Sequence, residues 1–174
     1  MHRRLAIGAV VFVCALVPAA LAWAKRGPSK AAQIQTAVRQ AEASGTTWAT
    51  VNICNTSAHP NTIGIRAQMP SLGIDARLLM VFEVEYFSHR THVYKLVPGS
   101  TMTVPLGTSR LGLRQSGINL PLTPHGGTLR GVVGLEWMVG GRVVGSTTRI
   151  TTAGHPDADY GDPLHHSAAS CVMP

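Results

Sequence analysis

The sequence predicts an all-β protein: an antiparallel two-sheet sandwich of seven to eight strands, with an irregular C-terminal tail anchored by a disulfide. Three observations carry this. From residue 48 onward, short runs rich in β-branched and aromatic residues are separated by Gly, Pro, Asn and Ser. Alternation between apolar and polar side chains is one-sided in residues 62–68, 78–87 and 128–139, so each of these strands faces a core on one side only. Two cysteines, Cys54 and Cys171, stand near the two ends of this region.

The chain opens MHRRLAIGAVVFVCALVPAALAWA. Arg3 and Arg4 form a positive head, residues 5–17 an apolar run, and Ala22-Trp23-Ala24 a small-residue exit. This is the pattern of a secretory signal peptide over residues 1–24, cut after Ala24, with Ala22 as the second choice. An uncleaved anchor is the alternative, because the charge-free stretch is about 20 residues, just long enough to span a bilayer. Pro18 and the small residues before Lys25 favour cleavage. Val11-Phe12-Val13 before Cys14 does not fit a lipoprotein signal. Removal of the leader leaves about 150 residues, one domain of ordinary size.

The full chain carries 15 basic and 8 acidic residues, a net charge of +7, and two of the arginines lie in the leader. The remaining cations are scattered singly, without the clustering and interleaved aromatics of a nucleic-acid surface. Cys14 leaves with the leader. Cys54 and Cys171 then form an even pair, which in an oxidising compartment reads as one disulfide closing a long loop.

Residues 25–47 read as a spacer. Ser29 can cap a short helix and Gly45 can end it, but Ile34, Val38 and Ala41 make only a thin stripe, so the helix is marginal. Residues 48–152 form the sandwich domain. WATVNIC (48–54) places Ala49, Val51 and Ile53 on one face, and TIGIRAQ (62–68) does the same with Ile63, Ile65 and Ala67. MPSLGIDAR is a loop. The strongest strand is LLMVFEVEYF (78–87), with Met80, Phe82, Val84 and Tyr86 inward and Glu83 and Glu85 outward. SHRT leads into 92–97; 101–106 is an edge strand, since Pro105 cannot donate to a ladder. A strand follows around 117–122. In 128–139, Leu129, Val133, Leu135 and Trp137 share one face. Gly140-Gly141 supplies the positive φ angles of a tight hairpin, and 142–152 returns.

The tail, residues 153–174, concentrates the polar chemistry: His155, Asp157, Asp159, Asp162, His165 and His166 in AGHPDADYGDPLHHSAASC. The five residues His155, Asp157, Asp159, His165 and His166 are the weak candidates for a metal site. The run DADYGDPLHHSA lacks the glycine and closing glutamate of a calcium hand. Asp, Gly and Pro at this density make turns, so the tail reads as a strap fastened by Cys171, without a metal or other cofactor. His89 and His92 have H-x-x-H spacing but bracket a strand connection, and two ligands are too few for zinc. No nucleophile elbow, Ser-x-x-Lys or H-E-x-x-H motif is present. Glu83 and Glu85 point the same way about 7 Å apart by strand rise. That is near the separation of inverting glycosidase carboxylates, but they sit on a wet face without aromatic sugar platforms nearby. Phe87 and Tyr94 are the only loose aromatic candidates for a glycan.

The segments ATVNIC, HPNTIGIRAQMP, LRGVVGLEW and AGHPDADYGDP…SAASC resemble those of small secreted proteins of high-GC Gram-positive (actinobacterial) origin, usually left uncharacterised and immunoglobulin-like in architecture. The resemblance covers roughly residues 49–171 and carries no catalytic signature. It implies an extracellular β-sandwich, immunoglobulin-like or fibronectin type III-like by architecture. The second cysteine lies beyond the last strand and no Tyr begins strand 128–139, which departs from true immunoglobulin domains. The resulting expectation is a secreted, non-catalytic binding or structural module at the cell exterior, with an unknown extracellular or cell-envelope partner. It binds no nucleic acid and touches a membrane only through an uncleaved leader. The competing expectation is a small secreted metal-binding protein or hydrolase that uses the His/Asp-rich tail.

Overall fold

Strict alternation over long stretches builds the central ribbon of the protein. A computed structural model describes residues 27–123 and 126–174, so the expected leader, residues 1–24, lies outside the described residues. β3 (Ala76–Ser88) and β7 (Gly127–Val139) each run 13 residues and pair antiparallel from Arg77↔Met138 to Tyr86↔Leu129. Their inward side chains, among them Leu78, Met80, Phe82, Val84, Val133, Leu135 and Trp137, are fully buried.

β4 (Val93–Leu96) and β5 (Met102–Ser109) share the other edge of β3. β8 (Arg142–Ile150) and β9 (Cys171–Met173) share the other edge of β7. A second antiparallel sheet consists of β1 (Trp48–Cys54), β2 (Thr62–Pro70) and β6 (Leu113–Pro121), in the order β1-β2-β6. The described residues thus form nine strands, two antiparallel sheets and one helix.

One apolar cluster joins the inner faces of both sheets. Gly131 of β7 leaves room for Ile65 of β2: a Cβ there would stand 2.6 Å from Ile65 Cδ1. Trp137 is buried to the end of its ring, and its Nε1 donates to Pro70 O at 2.8 Å, which satisfies the one polar atom it takes inside. Gly140 (φ 59°) and Gly141 (φ 78°) turn the β7–β8 hairpin, as the Gly-Gly pair predicts.

Three expectations need correction. Strands number nine, against seven to eight, because the tail ends in β9, whose backbone bonds to β7. In β1, Ile53 does not share a face with Val51. A bulge shifts the register between them, so Val51 pairs with core-facing Ile65 while Ile53 pairs with Gly64 on the opposite face. The helix expected after Ser29 is present as α1 (Lys30–Glu42), capped by Ser29 Oγ on the Ala32 amide, but it is packed on the domain and not marginal. Packing supplies what its thin stripe lacks. Val38 and Ala41 are buried, and Arg149 of β8 donates to the carbonyls of Glu42 and Thr47.

The α1–β8 seam depends on a missing side chain. A Cβ on Gly145 would lie 2.2 Å from Val38 Cγ1. Gly145→Ala is expected to cost about 1–3 kcal/mol, the usual size of overpacking. Hydrogen exchange should quicken in residues 30–42 while β3 and β7 stay protected. Val38→Ala in the same chain should restore part of the loss in urea melts; no recovery would show that the seam is not the cause.

Candidate functional site

Beyond β8 the chain becomes a strap that crosses the outer face of the small sheet. The Thr152 amide donates to Ala49 O at 2.8 Å. His155 then stacks on Trp48, with ring centroids 4.7 Å apart and planes 13° from parallel. Gln115 Nε2 donates to Asp157 O, Asn52 Nδ2 and Arg66 Nε donate to Asp159 O, and the Asp159 amide donates to Gln115 Oε1. The Arg66 guanidinium sits 4.9 Å from the centre of the Tyr160 ring. Burial lowers the Arg66 pKa, and the Asp159 carboxylate and Tyr160 oppose that shift. The strap then turns along the free edge of β1, where Val51 and Ala168 exchange both backbone bonds. It ends at the disulfide Cys54–Cys171.

These contacts decide what the tail can do chemically. His155 is spent on Trp48 and on a hydrogen bond to Thr152 Oγ1. Asp157 and Asp159 contribute backbone carbonyls to the sheet. The Asp162 carboxylate accepts from Thr56 Oγ1, and His165 Nδ1 meets Pro156 O. His166 Nε2 and Asn52 Oδ1 are buried without a hydrogen-bond partner among the described residues. The five metal candidates are not brought to a common point, and no group of three His, Cys, Asp or Glu arranged for a metal ion occurs among the described residues.

On the outer face of the large sheet the expectation about aromatic residues needs correction. Phe87 stands two residues from Glu85 on the same strand face, and Tyr94 pairs with Phe87 across to β4, with rings 5.3 Å apart. Aromatic rings therefore do lie beside Glu85. Sequence reading missed this because it depends on the β3–β4 register. The platform is already occupied: Arg130 lies 3.8 Å over the Tyr94 ring and forms an ion pair with Glu85 at 2.7 Å. Glu83 accepts from Thr101 Oγ1. His89 and His92 flank Phe87 edge-on and make no further cluster with acids.

The concave feature lies elsewhere. At the end of the molecule where β3 and β6 finish and β7 begins, the two sheets part over a cleft of about 680 Å³. Tyr86, Val97, Leu120, Leu122, Leu129 and Met173 supply most of its walls. None of the described lining residues carries a charged side chain. Ser100 lies in the wall, but its Oγ is spent on the backbone of Val84. The volume falls in the range of about 300–1,000 Å³ usual for small-ligand sites. Leu120, Leu129 and Tyr86 are in core phase by alternation, and that was their only signal. Their place at a strand end, with no facing strand over them, is not written in the sequence.

No protein-family model matches the chain, and comparison with curated proteins gives no significant match.

Two outcomes follow from the strap. Cys171→Ser is expected to lower stability by about 2–4 kcal/mol, the usual loss for a long-loop disulfide. Amide exchange should quicken first in residues 153–174, while β2, β3 and β7 stay protected; uniform exchange across the chain would contradict the strap. Burial also holds the His155 pKa below its ordinary value of 6.5. The unfolded chain therefore binds the proton more readily than the folded one. Stability is full above about pH 6.5 and falls as pH drops below it. His155→Phe, which keeps the stack on Trp48, should flatten that part of the stability–pH curve; an unchanged slope would place the titration elsewhere.

Proposed function

We propose that this chain is a secreted, non-catalytic binding module at the cell exterior, built as an immunoglobulin-like or fibronectin type III-like sandwich. Its partner is an extracellular or cell-envelope component. The observation that carries the reading is the apolar cleft at the open end of the two sheets, in whose wall Tyr86 is 39% exposed and Val97, Leu120 and Leu122 are only half-buried. Two further facts support the address. The disulfide suits an oxidising, non-cytosolic compartment. The signal pattern of residues 1–24 completes the argument for export.

The non-catalytic part of the reading rests on geometry. The tail carboxylates and histidines serve turns and strap contacts, and the Glu83–Glu85 face is flat and already engaged with Arg130 and Thr101. The alternative metal or hydrolase reading of the tail gains no specific support from this arrangement.

A neutral apolar fluorophore, N-phenyl-1-naphthylamine, tests the cleft. Binding is expected to saturate at one site per chain. Leu122→Asp and Val97→Asp, both at half-buried wall positions, should each weaken it by at least about ten-fold, a cost of about 1.4 kcal/mol. Non-saturating fluorescence, or equal binding by folded variants, would remove the cleft as the site.

A further inference from the structure

We infer that the cleft takes the alkyl chain of a free, single-chain anionic amphiphile, a fatty-carboxylate type of ligand, and that Lys95 holds its head group at the rim. The inference rests on the binding-module reading above and adds the chemical class of the ligand.

The walls argue for the chain. Leu120, Leu122, Leu129, Met173 and Val97 offer hydrocarbon, and the backbone near them is already paired. The Val97 amide donates to Val84 O, and the Leu122 amide donates to Asn61 O. A peptide or sugar placed here would leave its own donors and acceptors without partners, at a cost for each buried group. An alkyl chain brings no such groups. Part of the cleft is open to water, so the other end of the ligand must be polar.

The rim argues for the charge. Tyr86 lies directly across from Lys95 in the β3–β4 pairing, so both side chains project from the same face of that ribbon. Val97, two residues on from Lys95, lines the same cleft. Lys95 is exposed, and the only ion pair among the described residues is Arg130–Glu85. The acids of β3, Glu83 and Glu85, point to the opposite face, and Glu85 is matched by Arg130. Among the described residues an anion arriving at this end therefore meets Lys95 and no facing carboxylate on β3, with the backbone carboxylate of Pro174 farther along the lining. Without the two leader arginines the chain carries 13 basic and 8 acidic residues, a net charge of +5, which acts in the same direction. Tyr86 is 39% exposed and lies in the wall, so its amphipathic side chain suits the junction of chain and head.

The test displaces N-phenyl-1-naphthylamine at pH 8 with three ten-carbon amphiphiles below their micelle concentrations: decanoate, decyltrimethylammonium and decyl maltoside. Decanoate is expected to displace the dye at about two- to five-fold lower concentration than the other two, the scale of one exposed charge pair. High salt should shrink that preference. Lys95→Glu should reverse the order of decanoate and decyltrimethylammonium, each read relative to that variant's own dye affinity, and Lys95→Arg should keep the wild-type order. Displacement without head-group preference, or with a preference that Lys95→Glu does not alter, would overturn the ligand class and leave the binding-module reading standing. Failure to bind the dye at all would remove both. Co-sedimentation with phosphatidylglycerol vesicles that decanoate does not compete away would overturn the free amphiphile in favour of a membrane surface.

Discussion

The Cys54–Cys171 bond ties the two sheets to each other. Cys54 ends β1 of the small sheet, and Cys171 begins β9 on the edge of the large one. Their separation in sequence is 117 residues, so the bond removes a large amount of freedom from the unfolded chain. It also fixes where the strap must run. Between Ile150 and Cys171 the chain has to leave the large sheet, pass over the small one and return. Along that route it buries polar residues of the small sheet, Thr50 and Asn52, that a bare outer face would leave in water. Thr50 Oγ1 and Asn52 Nδ2 are satisfied by the strap itself, while Asn52 Oδ1 has no partner among the described residues.

The strap also removes a free edge. β1 pairs with β2 on one side only, and an exposed β1 edge would present unpaired backbone groups to another chain. Ala168 takes up Val51, and Asp162 takes up the Asn52 carbonyl. The bulge at Val51–Ile53 belongs to this arrangement. By turning Ile53 outward it gives the strap a second apolar anchor, besides Trp48, on an outer face that also carries Thr50, Asn52, Arg66 and Gln68. Gly64 makes room for it, since a Cβ there would lie 2.7 Å from Ile53 Cβ.

The sequence made the long inward stripes of β3 and β7 plain because their side chains report their surroundings every second residue. It also made the disulfide plain, because only one pairing remains outside the leader. It did not reveal the bulge, because WATVNIC alternates as well with the bulge as without it, and only the partner strand decides. It understated α1, because the helix gains its stability from Gly145 and Arg149, more than 100 residues downstream. The tail was legible as a strap but not as a sheet edge, since Ala168 and Asp162 bond through backbone groups that no side-chain pattern records. The Phe87–Tyr94–Arg130 group on the large sheet was hidden for the same reason: it depends on register.

The cleft can be traced to unequal strand lengths. β3 and β7 are 13 residues long, while β1, β2 and β6 are 7, 9 and 9. Two facing sheets can cover each other only as far as the shorter one reaches. At the α1 end, Pro70 and Leu72 close over Trp137 and the helix covers the β8 side of the core. At the other end, Tyr86 and Leu129 continue the inward phase of β3 and β7, and the small sheet runs out at Thr62 and Pro121. Core-phase side chains without a facing strand must be covered by a loop, by a partner or by a ligand. The described wall leaves them facing a cleft, Tyr86 still 39% exposed. The alternation that builds the core at one end of the ribbon therefore leaves an apolar binding surface at the other.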